Sequence, residues 1–184
     1  MEDPAPETDA RPFLTGPQRP QDGIPAPPTS DRLPRRTITR PASLWWLGVH
    51  GGAGESTLER TIPGSAAAHH AWPLPPESTR PEPARVILVA RTHASGLRAA
   101  QLAATEWASG SVQNVQLLGL VLVADAPGRL PRPLKDTVKI ITGGVPRTWH
   151  IPWIEAWRLN EPWETSSSPK PVRGMVSDVN VLLG

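Results

Sequence analysis

A chain of 184 residues, 38% of them hydrophobic, holds material for one folded domain with extended ends. Its lack of cysteine excludes disulfides, thiolate metal sites and cysteine nucleophiles. No apolar run approaches the roughly 20 residues of a membrane helix, so membrane insertion is not expected. The formal net charge is only +2. The isoelectric point of about 9.7 reflects the absence of Tyr and Cys, which leaves few groups titrating between histidine and lysine. Charge alone is thus a weak argument for nucleic acid. The acidic, proline-rich start has no charged-then-apolar leader pattern, and a cytoplasmic location is expected.

Residues 1–42 carry a succession of prolines among acidic and small polar residues. Such a segment buries too little apolar surface to offset its ordering entropy, and a disordered tail is expected. Its end holds a basic cluster, Arg32, Arg35, Arg36 and Arg40, read either as a solubilising flank or as a contact for an anionic surface. The domain proper is expected over 43–160. Residues 43–49 are an apolar run ending in glycines, as a buried parallel strand would be. Residues 59–84, broken by prolines, are expected to hold little regular structure. Residues 85–91 form a second buried strand.

The clearest helix follows, with Ser95 as its N-cap and Gly110 as its stop. Leu97, Ala100, Ala104, Trp107 and Ala108 share one face, and Arg98, Gln101 and Glu106 lie away from it. Residues 117–124 are a third strand. Pro131 and Pro133 open a short helix with Leu134, Val138 and Ile141 inward, and 147–151 are a fourth strand. Strands alternating with helices predict an α/β fold, a reduced parallel sheet with flanking helices. From 161 to 184 a flexible tail is expected, although Val176 to Leu183 offers a strand-like run.

After the first strand stands His50-Gly51-Gly52-Ala53-Gly54-Glu55-Ser56-Thr57. This resembles the deviant phosphate loop of ParA/MinD-type P-loop proteins, Lys-Gly-Gly-x-Gly-Lys-Ser/Thr-Thr. The resemblance implies a P-loop NTPase-like fold. It also implies an anion-binding loop of His50, Gly51, Gly52, Gly54, Glu55, Ser56 and Thr57, with glycine N–H groups curling around phosphate and a hydroxyl meeting magnesium. Stretches 86–100, 117–125 and 150–159 are similar to later parts of that family. A second resemblance is to uncharacterised proteins of high-GC actinobacteria carrying the same loop.

Both lysines of the motif are replaced, by His50 and Glu55, and no switch or magnesium-linked aspartate is visible between 59 and 84. Like charges at about 4 Å repel by roughly 4 kcal/mol at an effective dielectric near 20, so an ionised Glu55 facing phosphate would oppose ATP. The expected function is therefore a binding or assembly component without efficient hydrolysis. No catalytic residue is assigned, no cofactor or metal is expected, and another protein is the expected partner. Two alternatives stay open: an ATPase using ATP or another nucleotide with Mg and completed by a partner's cation, and a nucleic-acid adaptor using the arginine cluster.

The five histidines show no zinc-like spacing, but His50 and His93 fall at the carboxyl edge of the sheet, where open α/β sheets bind ligands. Trp45, Trp46 and Trp107 are expected in the core, while Trp153 and Trp157 offer either packing or a protein-binding patch. No Gly-x-Ser-x-Gly elbow occurs, which leaves no support for serine catalysis.

Overall fold

The computed structural model describes residues 14–76 and 82–184. Seven strands appear among them: β1 (Arg35–Thr37), β2 (Leu44–Gly48), β3 (Ser65–Ala67), β4 (Trp72–Leu74), β5 (Ala84–Arg91), β6 (Val115–Val123) and β7 (Thr148–Ile151). The helices are α1 (Glu55–Glu59), α2 (Ala94–Ala108), α3 (Arg132–Gly143), α4 (Glu155–Arg158) and α5 (Lys170–Leu183).

The main sheet runs in the order β3-β2-β5-β6-β7, and every neighbouring pair is parallel. Its apolar strands alternate between two faces. Val86, Leu88 and Ala90 of β5 join the cluster beneath α2 and α3, whereas Ile87 and Val89 join the one beneath α1 and α5. Burial on both faces explains why the strands read as unbroken apolar runs. β6 carries one irregularity, where Val86 pairs with Leu117 but Ile87 with Gly119. A Cβ on Gly119 would lie 2.7 Å from the Arg147 carbonyl oxygen, so the approach of the preceding β7 segment requires glycine there.

Three expectations need correction. The proline-rich segment is ordered from residue 14 onward, while residues 1–13 of the expected tail lie outside the described residues. Thr15 N–H donates to the Pro146 carbonyl, Gln21 N–H to Ala108, and β1 pairs in parallel with β4. Proline limits a segment's own hydrogen bonding, but it does not prevent the remaining N–H groups from docking on a neighbouring surface. The region 59–84, expected to hold little regular structure, contributes the three-residue strands β3 and β4 among its described residues.

The expected C-terminal tail contains α5, which docks as a helix with Val172, Met175 and Val179 buried. Trp149 Nε1 donates to Asp178 Oδ2 at 2.9 Å, and Arg85 to the Leu183 carbonyl at 3.1 Å. The apolar positions 172, 175, 176 and 179 have helical rather than alternating spacing.

Glu106, read as lying away from the apolar face of α2, does not face solvent. It is fully buried. One carboxylate oxygen accepts from Trp72 Nε1 at 2.9 Å and Leu33 N–H at 3.1 Å, and the other meets Arg35 at 3.1 Å. This carboxylate joins α2, β4 and the N-terminal segment. Arg35 is thus engaged inside the fold, as is Arg32, whose Nε donates to the Pro27 carbonyl at 2.7 Å. Arg36 and Arg40 instead line an open groove beside β3. The basic cluster is split by structure.

No helix among the described residues is long and apolar enough to cross a membrane. The docking of α5 makes a prediction. Burying its three core side chains contributes on the order of 6 kcal/mol, against total stabilities of about 5–15 kcal/mol for a domain. A chain ending at residue 169 should lose cooperative thermal unfolding, read by circular dichroism. An unchanged midpoint would mean that α5 is a passive appendage.

Candidate functional site

The chain leaves β2 toward β3 on one side, then returns past β2 to β5 on the other. The carboxyl ends of β2 and β5 therefore lie at a switch point, where connections depart to opposite faces of the sheet and leave a crevice. Strand pairing stops there, yet the last backbone groups still require partners.

Side chains supply them. On the β3 side, the last β2–β3 contact is the Ala68 N–H to the Trp46 carbonyl at 2.8 Å. Beyond it, Gly48 N–H donates to Glu55 Oε2 at 2.8 Å, and the Gly48 carbonyl meets His70 Nδ1 at 2.7 Å. His70 Nε2 lies 3.6 Å from Glu55 Oε1, beyond hydrogen-bond distance. Glu55 is buried beneath the loop. A Cβ on Gly48 would lie 3.1 Å from both Glu55 Oε2 and His70 Nδ1, so glycine makes room for this pair.

On the β5 side, Arg91 N–H donates to His50 Nε2 at 3.0 Å. With Nε2 accepting, Nδ1 carries the proton and donates to the Gly51 carbonyl at 2.9 Å. Burial holds the His50 imidazole below its ordinary pKa, aided by the nearby His93, His70 and Arg91, while the bond to Gly51 opposes the shift. The neutral form is the one this geometry uses. His93 caps α2, its Nδ1 accepting from Gly96 N–H at 2.9 Å, and its ring centroid lies 4.9 Å from that of His50. The capping residue is thus His93 rather than Ser95, whose hydroxyl is 3.0 Å from the same nitrogen. Gly96 is equally constrained, because a Cβ would meet the Arg91 carbonyl oxygen at 2.5 Å and His50 Nε2 at 2.9 Å.

The Arg91 guanidinium is held by the Gly52 carbonyl at 3.3 Å and the Ala124 carbonyl at 3.1 Å. Burial lowers its pKa, Asp125 opposes that, and the neighbouring Arg158 adds to it. An arginine so placed stays cationic at neutral pH. His50, Gly51, Gly52, Arg91, His93, Asp125, Trp153 and Arg158 line a cleft of about 350 Å³. Among the described residues, neither Arg91 nor Arg158 has a carboxylate within ion-pair distance. Two guanidiniums against Asp125 leave the cleft net positive.

The expected loop is therefore divided. Gly51 and Gly52 border the cleft and His50 orders its edge. Glu55 points into the protein, and Ser56 and Thr57 lie on the short α1 outside the cleft lining. Gly52 and Gly54 have φ of +73° and +108°, which explains those two glycines as turn residues. Trp153 lines the cleft and donates from Nε1 to Glu155 at 2.6 Å; Trp157 packs on Trp163 with centroids 5.1 Å apart. Arg91, Asp125 and Arg158 were not singled out from sequence. The available signal for Arg91 was a charge ending the run Val86-Ile87-Leu88-Val89-Ala90, at the carboxyl end of a buried strand.

Comparison with known proteins identifies one family. Residues 42–176 match the model of a family of unknown function, DUF6668, and the chain belongs to that family. No curated protein and no solved structure matches the chain. The resemblance to ParA/MinD-type P-loop proteins is corrected accordingly: the matching family is this one, and no P-loop family matches. The loop likeness lies in a few glycines, which any tight strand-to-helix turn uses, and the inward Glu55 serves a different bond from the lysine it was aligned with.

The neutral histidines carry a pH prediction. His50 and His150 are both held below their ordinary pKa, primarily by desolvation. Below the unfolded pKa of about 6.5 the unfolded chain binds more protons at these sites, so their contribution is complete above that pH and is lost as pH falls toward the folded values. The thermal midpoint should drop between about pH 7 and about pH 5, and His50→Gln, which retains an acceptor, should flatten part of the drop. A midpoint constant across this range would contradict a neutral His50.

Proposed function

We propose that this family member is a binding domain that holds a small anion at the carboxyl edge of its sheet, without chemical turnover. The observation that carries the reading is the pair Arg91 and Arg158, which face one cleft with no carboxylate at ion-pair distance among the described residues. Arg91 is positioned in advance by two backbone carbonyls, so little side-chain freedom remains to be lost on binding. A guanidinium is also suited to two-point recognition of phosphate or carboxylate. The location favours the same reading, since ligands of open α/β sheets occupy the crevice at a switch point.

Glu55 supports binding and argues against hydrolysis. Its buried carboxylate is turned from the cleft, so the repulsion expected from sequence is not directed at a ligand there. Engaged with Gly48 and beside His70, it is also poorly placed to activate water at the cleft. Nucleotide with magnesium remains within the class of ligands this reading admits.

Calorimetry with inorganic pyrophosphate and with ATP plus magnesium, alongside a phosphate-release assay, tests the proposal. Pyrophosphate should bind, and Arg91→Ala should weaken it by about tenfold to a hundredfold, the equivalent of one charge-assisted hydrogen bond of about 1.5–3 kcal/mol. Phosphate release should stay at background. Absence of anion binding, indifference to Arg91→Ala, or steady release would each overturn the reading.

A further inference from the structure

A second concavity adjoins the first. It has a volume of about 480 Å³ and lies over the carboxyl ends of β6 and β7, under the loop that leads into α3. Leu122 and Ile151 come from the strands, Ala124, Pro127 and Pro152 from the surrounding loops, and Leu134 from the first turn of α3. Thr92, His93, Asp125, Arg129 and His150 are the polar or charged side chains in its lining. His93 and Asp125 line both clefts, so the cationic site and the apolar one abut at those two residues.

We infer that the anion bound here is amphiphilic: an organic phosphate or carboxylate whose head group meets Arg91 and Arg158 and whose hydrocarbon or aryl body fills the cleft of Leu122, Leu134 and Ile151. The inference rests on the anion-binding reading above and specifies its ligand. The volume is in the range of pockets that enclose a small organic molecule. Chemistry narrows the body further. A heterocycle rich in ring nitrogens needs donors and acceptors around its edge, and leaving them unpaired in an apolar site is costly. Leu122, Ala124, Leu134, Ile151 and Pro152 offer no side-chain partner, which leaves Thr92, Arg129 and His150 as the side chains away from the junction that a polar body would have to use. The backbone N–H of Asp125 is already taken by Thr92 Oγ1 at 3.1 Å. The Asp125 carboxylate, at the junction, suits a hydroxyl or ammonium donor between head and body and disfavours a second anionic group there.

The test compares probes on the full chain by calorimetry: inorganic phosphate, phenyl phosphate, phenol and adenosine monophosphate. Phenyl phosphate should bind at least about tenfold more tightly than inorganic phosphate, and phenol should bind weakly, because head and body are both needed. Arg91→Ala should weaken both phosphates. Ala126→Trp, at an exposed position in the lining of the apolar cleft, should weaken phenyl phosphate and leave inorganic phosphate unchanged, with an unaltered thermal midpoint as the folding control. Equal affinity for phenyl and inorganic phosphate would overturn the inference while the anion-binding reading stood. Adenosine monophosphate binding more tightly than phenyl phosphate would replace the hydrocarbon body with a polar heterocycle and likewise overturn it. If none of the anions bound the wild-type chain, the underlying reading would fail and this one with it.

Discussion

The divergence of β2 and β5 at their carboxyl ends is the constraint on which the rest of the site depends. Parallel neighbours that send their connections to opposite faces cannot continue their ladder, and each leaves backbone groups that water reaches poorly. In this chain His50 completes Arg91 beyond the last β2–β5 bond, and Glu55 and His70 complete Gly48 on the other edge of β2, where the short β3 has ended. Each of these bonds replaces a rung that a longer strand would have made with backbone. The same bonds set the crevice: His50 fixes the Arg91 backbone, whose guanidinium then reaches the Gly52 and Ala124 carbonyls. A packing necessity at the end of the sheet thereby positions a cation at the mouth of a cleft.

Glu55 shows why a charge in a motif does not have a fixed meaning. Read along the sequence, it stands where a phosphate-binding loop would place a lysine, and Coulomb's law assigns it a repulsion. That reasoning presumed the direction of the side chain. In the fold the carboxylate turns under the loop, where Gly48 presents an N–H and has no Cβ to obstruct it. One glycine, outside the motif as it was read, decides where the acid points.

The sheet was largely legible because burial on both faces makes each central strand an apolar run, as in β2, β5 and β6, whereas the edge strand β7, Thr148–Ile151, alternates. α2 and α3 were legible from helical periodicity and their flanking proline and glycine. The three-residue strands β1, β3 and β4 were not, since so short a segment carries no period and owes its structure to a neighbour already in place. Glu106 was misplaced for a related reason: a helical wheel assigns carboxylates to solvent, and only the fold brings Trp72, Leu33 and Arg35 to meet it. Of the site, His50, His93 and the glycines could be located at the sheet edge from strand ends alone. Arg158 and Asp125 could not, because their convergence with Arg91 depends on how the 124–131 and 152–158 connections fold back.

The two supposed tails follow from the unequal cover of the sheet. On one face α2, with 15 residues, and α3, with 12, lie over β5 and β6. On the other, the connection after β2 contributes only the five residues of α1, too short to cover Leu118, Val121, Val123 and Ile151. An apolar face of that extent left open would invite association, so a second helix must arrive from elsewhere in the chain. α5 does so, and it brings Val172, Met175 and Val179 to that surface. The N-terminal segment plays the corresponding part on the α2 side, where Leu33 and β1 meet Glu106, Trp72 and β4. Composition called both ends loose because it weighs a segment by what it can bury within itself. What orders them here is the surface that the central domain leaves uncovered.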